Sequence, residues 1–544
     1  VTVSPKDFGN DIFSGMKFQE ELEKKTYEAC MGKIPIQLYK DFVLNRKSNN
    51  YEVLILEQEN QIGGISKTVK YNGNYMDLGG HRFFSKNDEI NKMWQELLPV
   101  QGSGSYDDIK LKSQKCFPKN GPNPEKNDKV LLIRNRISRI YYNNRFFDYP
   151  INLSLKTIKN LGIKNTFTSG FSYLKSIFLK KDESSLENFY INRFGKKLYT
   201  IFFKGYTKKL WGRSPKEIDS SWGKQRVKGL SILEVLKDCF YKVTKKENKN
   251  KQTSLIEQFY YPKYGPGQMW DVMKERITEL GGIIKCNSKV INLKKNNNRI
   301  SEVTYLDSGR KITVKCDYVI STMPIKELIN DMNDVPNRIK KIANNLPYRD
   351  FITVGLVIDK LKIKNETNIE TINNIVPDCW IYVQNENVKL GRIQIFNNWS
   401  PYLVNDLEKS ISLGLEYFCT ENDDFWLKND DELRNIALNE LIKMNVVSDD
   451  VYIKDFHIER VKKAYPAYFD SYKDFPKVKK YLNRIENLYC IGRNGQHRYN
   501  NMDHSMECAI VCVNNIINNV IAKDNIWAVN TDENYHEIKE KLNE

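Results

Sequence analysis

Cys490-Ile491-Gly492-Arg493-Asn494-Gly495-Gln496-His497-Arg498-Tyr499-Asn500-Asn501-Met502-Asp503-His504-Ser505-Met506 begins as a short apolar strand that breaks at Gly492. It then crosses a polar loop with no room for a packed core and restarts as a small-residue helix over residues 505–514. A strand, a glycine turn and a helix start together place backbone N–H groups and a helix dipole beside a ligand. Arg493, His497, Arg498 and Tyr499 within that loop mark it as a site rather than a surface connection.

Working outward, Tyr51-Glu52-Val53-Leu54-Ile55-Leu56-Glu57 has the form of a buried parallel strand ending in an acid. An acid at such a strand end accepts hydrogen bonds from ribose hydroxyls in dinucleotide folds. Six residues on, Gly63-Gly64 permits close backbone approach to a ligand. Met76-Asp77-Leu78-Gly79-Gly80-His81-Arg82-Phe83-Phe84 then sets a second glycine pair beside a histidine and an arginine. Each signal is common alone; their order raises their weight.

In that order the residues resemble the FAD-dependent amine oxidase superfamily, and within it the UDP-galactopyranose mutases. The resemblance covers roughly residues 50–520 in ordered pieces. It implies an α/β fold: a Rossmann-like FAD-binding domain with an inserted helical domain and a mixed-sheet substrate domain. Glu57, Gly63-Gly64 and Gly79-Gly80-His81 match the strand-ending glutamate, the Gly-Gly turn and the segment under the flavin ring. Gly205-Tyr206-Thr207-Lys208-Lys209-Leu210-Trp211-Gly212 is similar to the motif lining the nucleotide-sugar site, which makes Tyr206 and Trp211 substrate contacts. Gly492, Arg493, Arg498, Tyr499, Met502 and Asp503 match the late motif, with Gly492, Met502 and Asp503 on the cofactor. Tyr261-Pro262-Lys263-Tyr264-Gly265 resembles an element close to the flavin and adds Tyr261 as a substrate contact, and Val290 corresponds to the valine whose backbone meets the adenine.

The chain departs from the family in two places. The G-x-G-x-x-G turn that holds the FAD pyrophosphate should fall at Gly32-Lys33-Ile34-Pro35-Ile36-Gln37, where only Gly32 survives. A β-branched Ile34 obstructs a turn that needs close backbone approach. Residues 21–30 read as a charged helix, so residues 1–49 do not resemble the first βα unit. The pyrophosphate is then held differently, FAD is lost, or this N-terminal sequence has another origin. The second departure is Phe84, where the mutases commonly carry another histidine.

Length and composition suit an enzyme of two or three domains: 544 residues with 40% hydrophobic and 12% aromatic content supply a sizeable core. No apolar run long enough for a membrane span occurs, and the N-terminus lacks a signal pattern. Ten cysteines without C-x-x-C pairs favour reduced thiols and a cytoplasmic location over a disulfide framework. Metal-ligand spacing is absent. The net charge of +17 reads first as a solvated lysine-rich surface and second as attraction to a polyanion. No nucleic-acid motif accompanies it, whereas a nucleotide-sugar diphosphate needs only a few arginines, for which Arg226 and Arg493 are candidates.

The resemblance, laid over the periodicity and punctuation of the chain, implies the following division. Residues 1–49 form an atypical N-terminal segment; 50–150, 285–350 and 485–520 form the FAD-binding domain; 151–245 form a helical substrate domain. Residues 255–284 and 351–484 form a mixed-sheet substrate domain, and 521–544 a peripheral C-terminal helix. A hairpin is expected through Asn143-Asn144, another through Asp307-Ser308-Gly309, and a helix over residues 271–280.

Three functions follow. The resemblance implies a mutase interconverting UDP-galactopyranose and UDP-galactofuranose through an adduct at flavin N5, with His81, Arg493 and Tyr499 as catalytic residues and Arg226, Tyr206, Trp211, Tyr261, Arg493 and Tyr499 binding the substrate. The second is an amine-oxidase-type FAD oxidoreductase, which a pair of arginines facing the flavin would oppose. The third is a non-catalytic structural or polyanion-binding protein that keeps the fold. The partner is a UDP-sugar or other small molecule in the first two, and oligomerisation is open.

Overall fold

The computed structural model describes residues 51–149, 151, 155–220, 223 and 258–530. Gly32 and its turn, Arg226, the stretch at residues 21–30 and the last part of the C-terminal segment lie outside the described residues.

Strand β1 (Leu54–Leu56) stops one residue short of Glu57 and pairs in parallel as expected. It is not the buried strand the sequence predicts: Leu54 and Ile55 are exposed, because Ile283–Lys285 is its one strand neighbour among the described residues. β2 (Thr68–Tyr71) and β3 (Asn74–Asp77) form a hairpin through Asn72 and Gly73, both left-handed with φ of 44° and 82°. β4 (Leu131–Asn135) precedes the hairpin of β5 (Ser138–Tyr142) and β6 (Arg145–Asp148), which turns at Asn143-Asn144 as the sequence predicts. β7 (Gln258–Pro262) and β8 (Ile283–Lys285) flank the helix Gly267–Glu279. That helix starts four residues earlier than expected, because Pro266 already holds a helical φ of −61° and Gly267 allows the chain to pass against Thr68. β9 (Val290–Asn296), β10 (Arg299–Asp307) and β11 (Arg310–Lys315) form an antiparallel meander with its second turn at Ser308-Gly309. β12 (Val319–Ser321), β13 (Tyr348–Ile358), β14 (Trp380–Val383), β15 (Arg392–Ile395), β16 (Ile411–Cys419), β17 (Ile453–Pro466) and β18 (Leu488–Cys490) complete the strands among the described residues.

Seven strands form one sheet in the order β17-β13-β16-β15-β14-β5-β6, antiparallel except for the β14–β5 pair. Alternation along each strand gives the sheet two different faces. Ile352, Val354, Leu356 and Ile358 of β13 join Leu413 and Leu415 of β16 on the outer face, under Leu433, Ala437 and Leu441 of the helix Asp430–Lys443. Each such buried aliphatic side chain contributes about 1.5–3 kcal/mol. The inner face carries Phe351, Trp380, Tyr382 and Phe418, packed against Met76, Tyr261 and Trp399. Gly355 makes that contact possible, since a Cβ there would lie 2.6 Å from Met76 Sδ.

Two parallel pairs, β1–β8 and β12–β18, lie apart from this sheet in the topology. Glu57 and Gly492 stand just past the carboxyl ends of their strands, the edge at which open α/β sheets bind ligands. The helices Leu155–Leu161, Ile163–Phe178, Leu186–Tyr199 and Gly205–Trp211 supply the helical region predicted from periodicity. The architecture is a mixed α/β fold.

The late loop corrects one expectation. It is not without a core: Gln496, His497, Asn500, Asp503 and His504 are all buried. The following helix spans Met502–Ile517, beginning three residues early because Asn501 caps it and the His504 ring reaches back to the Asn501 N–H at 3.1 Å.

Candidate active site

Beyond β18, the Ile491 N–H donates to the Ser321 carbonyl at 3.0 Å, keeping the strand end in register with β12. Gly492 then takes a φ of 73°, and nothing lies within 4 Å of the position a Cβ would occupy. This left-handed step turns the chain so that Arg493 stacks over Tyr499, 4.0 Å from the ring centroid, and Tyr465, 5.0 Å away. Arg493 Nη1 donates to the Asn500 carbonyl at 3.1 Å. Its Nε and Nη2 are buried without a partner. Two orphaned guanidinium donors are costly in a protein interior, and they form the fork that grips a phosphate or carboxylate.

A second arginine comes from the inner face of the sheet. Arg392 on β15 lies directly opposite Glu416 on β16, with Nη2 2.6 Å from Glu416 Oε2 and 2.7 Å from the Tyr465 hydroxyl. Its Nε has no partner. Gln394, two residues on and therefore on the same face, donates to Glu416 Oε1 at 3.1 Å. Burial pushes the Glu416 carboxyl up while Arg392 and Gln394 oppose the shift.

His81 lies in the field of both arginines. Burial first, then the charges of Arg493 and Arg392, push its pKa down to about 3, so the imidazole is neutral. Nδ1 is 3.1 Å from the Gly79 carbonyl, which requires the proton on Nδ1 and leaves Nε2 as a hydrogen-bond acceptor. Neighbouring Arg82 stacks 5.0 Å from the Trp380 ring.

Among the aromatic candidates, Tyr206 meets Tyr382 and Phe418 edge-on at 5.6 and 6.2 Å, and the charge of Arg392 reaches its buried hydroxyl. Tyr499 stacks on Tyr465 at 5.7 Å. Trp211 is buried and packs edge-on against Phe469 at 6.2 Å. Tyr261 is fully buried; its hydroxyl donates to Asp77, and its ring lies 5.1 Å from Trp399. The structure therefore groups His81, Arg493, Tyr206 and Tyr499, with Tyr261 and Trp211 embedded in the aromatic layer. Of the other residues that marked the late loop, His497 Nε2 faces the Ala467 carbonyl, and Arg498 donates to the carbonyls of Trp527 and Val529 at 2.6 and 2.9 Å.

The cofactor candidates form a second group. Glu57 accepts from the Glu59 N–H at 2.9 Å, and its carbonyl receives the Ser288 N–H, which brings Val290 near it. Gly63 and Gly64 have φ of 104° and 54°; a Cβ on Gly63 would strike Trp270, while the Cα of Gly64 faces open space. Gly79 is also left-handed, and Gly80 backs onto Trp399 and Gln394. Met502 packs with the cluster around Phe83 and Trp94, and Asp503 is buried in the first turn of its helix. Open glycine backbone at Gly64 and Gly492, a strand-end carboxylate and unpaired guanidinium donors fit a flavin dinucleotide.

The sequence profile of the family described as flavin containing amine oxidoreductase matches residues 43–499. The chain belongs to that family. It is an FAD-dependent enzyme, and this sets aside the non-catalytic alternative. A second profile, FAD-dependent protein, C-terminal domain-like, matches residues 1–67, covering the segment that does not resemble a first βα unit. Among solved structures, reduced UDP-galactopyranose mutase superposes with a TM-score of 0.69 at 19% identity, covering 90% of this chain and 96% of that one. Putrescine oxidase bound to putrescine gives 0.52 at 12% identity over 88% and 96%. A CLA-producing fatty acid isomerase from P. acnes gives 0.50 at 9% over 90% and 97%. These likenesses establish the fold of this flavin amine oxidoreductase.

Three inner-face residues escaped the sequence reading: Arg392, Gln394 and Glu416. Their signal was available, since Arg392-Ile393-Gln394-Ile395 alternates polar and apolar residues inside a region otherwise reading as buried sheet.

Proposed function

We propose that this flavin amine oxidoreductase is a UDP-sugar mutase that interconverts UDP-galactopyranose and UDP-galactofuranose. The observation that carries it is the pair of arginines, Arg392 and Arg493, around one neutral histidine, with unpaired donors on both. With Glu416 offsetting Arg392, the two arginines keep one net positive charge and three unpaired guanidinium nitrogens, which disfavours a cationic amine and suits a nucleoside diphosphate. Glu57, the Gly63-Gly64 turn, Gly79-Gly80 and Gly492 would hold FAD, which would supply covalent catalysis at the anomeric carbon. Arg493 holds the diphosphate and stabilises its negative charge as the sugar departs. Glu416 and Tyr465 fix Arg392 in place, so its charge is pre-organised. His81 stays neutral between the two arginines, so its Nε2 accepts a hydrogen bond from a sugar hydroxyl and orients it, its tautomer set by the Gly79 carbonyl. Tyr206, Tyr382 and Phe418 exclude water from the cleft.

The test has two steps. The visible spectrum of the purified protein shows flavin bands, with FAD released on heating; then UDP-galactofuranose is converted to UDP-galactopyranose under reducing conditions. A flavin-loaded protein that oxidises an amine and leaves both UDP-sugars unchanged refutes the proposal.

A further inference from the structure

The helix Ile163–Phe178 turns its phenylalanines away from the protein. Its inward side buries Ser169, Tyr173 and Ser176, with Tyr173 and Ile177 in the hydrophobic cluster beneath. They face the helix Leu186–Tyr199, where Gly195 lies so close to the Tyr173 backbone that a Cβ would come within 2.7 Å of its nitrogen. The Lys197 N–H donates to Ser172 Oγ at 3.0 Å across the same contact. The outward side carries Ile163, Phe167, Phe171, Leu174 and Phe178, exposed by 75, 76, 75, 54 and 81%. Steps of four, four, three and four residues align them in one stripe about 22 Å long. Scattered exposed apolar residues are ordinary, but a contiguous stripe of three phenylalanines marks an interaction surface.

The charges around the stripe indicate its occupant. Residues 155–181 contain Lys156, Lys159, Lys164, Lys175, Lys180 and Lys181 and no aspartate or glutamate. A two-fold pairing of this face with a second copy would bring the lysines of both copies together. An anionic lipid surface accepts both the phenylalanines and the lysines. We infer that the helix Ile163–Phe178 lies flat in the headgroup region of a bilayer containing anionic phospholipid and docks the enzyme there. At 16 residues it is too short to cross, and no helix among the described residues is long and apolar enough to do so.

Vesicle flotation of the full-length protein tests this, comparing phosphatidylcholine vesicles with mixed phosphatidylcholine–phosphatidylglycerol vesicles. The expected result is flotation with the mixed vesicles, weakened by added salt. The double substitution F167S/F171S should lower the bound fraction by about tenfold or more without altering the thermal midpoint, since both side chains face outward. K164E/K175E, which keeps every phenylalanine, should lower it severalfold and so tests the charge separately. Protein that stays unbound with mixed vesicles overturns the inference, as does a double variant that floats like the parent. So does an unbound dimer that F167S/F171S converts to monomer, which would assign the stripe to a second copy.

Discussion

Arg139 and Arg493 are both arginines with buried guanidinium nitrogens, and the protein treats them in opposite ways. Arg139 on β5 is fully engaged by Asp378: Nε donates at 2.9 and 3.1 Å to the two carboxylate oxygens, and Nη2 at 2.5 Å to one of them. The Phe146 ring covers the guanidinium at 3.9 Å. Arg493 has one backbone acceptor and two aromatic rings, but two of its nitrogens remain unpaired. A satisfied buried ion pair holds two segments together. An unsatisfied one is a standing electrostatic cost that only a ligand can offset. The fold is therefore built on the first kind of arginine and the site on the second.

The largest effect should come from breaking the structural pair. Asp378→Ala leaves Arg139 buried and uncompensated, which should lower stability by about 3–5 kcal/mol in urea unfolding. An unchanged midpoint would mean that Arg139 finds another partner, and the contrast with Arg493 would weaken. Arg493→Ala should behave in the reverse manner: stability within about 1 kcal/mol of the parent, and kcat/KM for the UDP-sugar down by about 10²- to 10³-fold. Equal losses of stability and activity would place Arg493 in the same class as Arg139. Glu416→Gln tests the intermediate case, in which Arg392 is anchored but still has a free Nε; about a tenfold loss of kcat/KM is expected with the fold retained.

The smallest effect concerns pH. Asp77 is fully buried beneath the site, where burial pushes its pKa up to about 7 despite donated hydrogen bonds from Tyr261 and Thr68. Its folded pKa exceeds the ordinary 3.8, so the stability it contributes is complete below that value and declines as pH rises to about 7. His81 and His497, lowered to about 3 and about 4 by burial, act in the other direction. Their contribution is complete above the ordinary 6.5 and declines as pH falls towards those values. Asp77→Asn should remove the acid-side gain and leave a steeper rise of stability with pH below neutrality, read from urea midpoints across the range. An unchanged profile would show that Asp77 does not titrate between the folded and unfolded states.

The same contrast explains what was legible in the sequence. Arg493 and Arg498 stand five residues apart in one motif, and both read as site residues, as does His497. In the structure only Arg493 turns towards His81, because Gly492 redirects the chain. Arg498 is claimed by the carbonyls of Trp527 and Val529, and His497 by that of Ala467. Those acceptors are about thirty residues away in the chain, so no local pattern announces them. Arg392 went unnoticed for the complementary reason: its partner Glu416 lies on the next strand, and a single strand shows its periodicity but not what it faces.

The sequence by itself determined the local conformations and their order. The apolar run ending at Glu57, the left-handed glycine steps, the Asn143-Asn144 hairpin and the strand–glycine–helix start at Cys490 follow from steric limits on φ and from side-chain periodicity, both properties of neighbouring residues. Tertiary structure alone decided which charges are paired. It set Arg392 against Glu416, closed Arg139 on Asp378, and left Arg493 with two donors open. Pairing depends on register and packing between distant segments, and the energy of an unpaired charge exists only once folding has removed it from water.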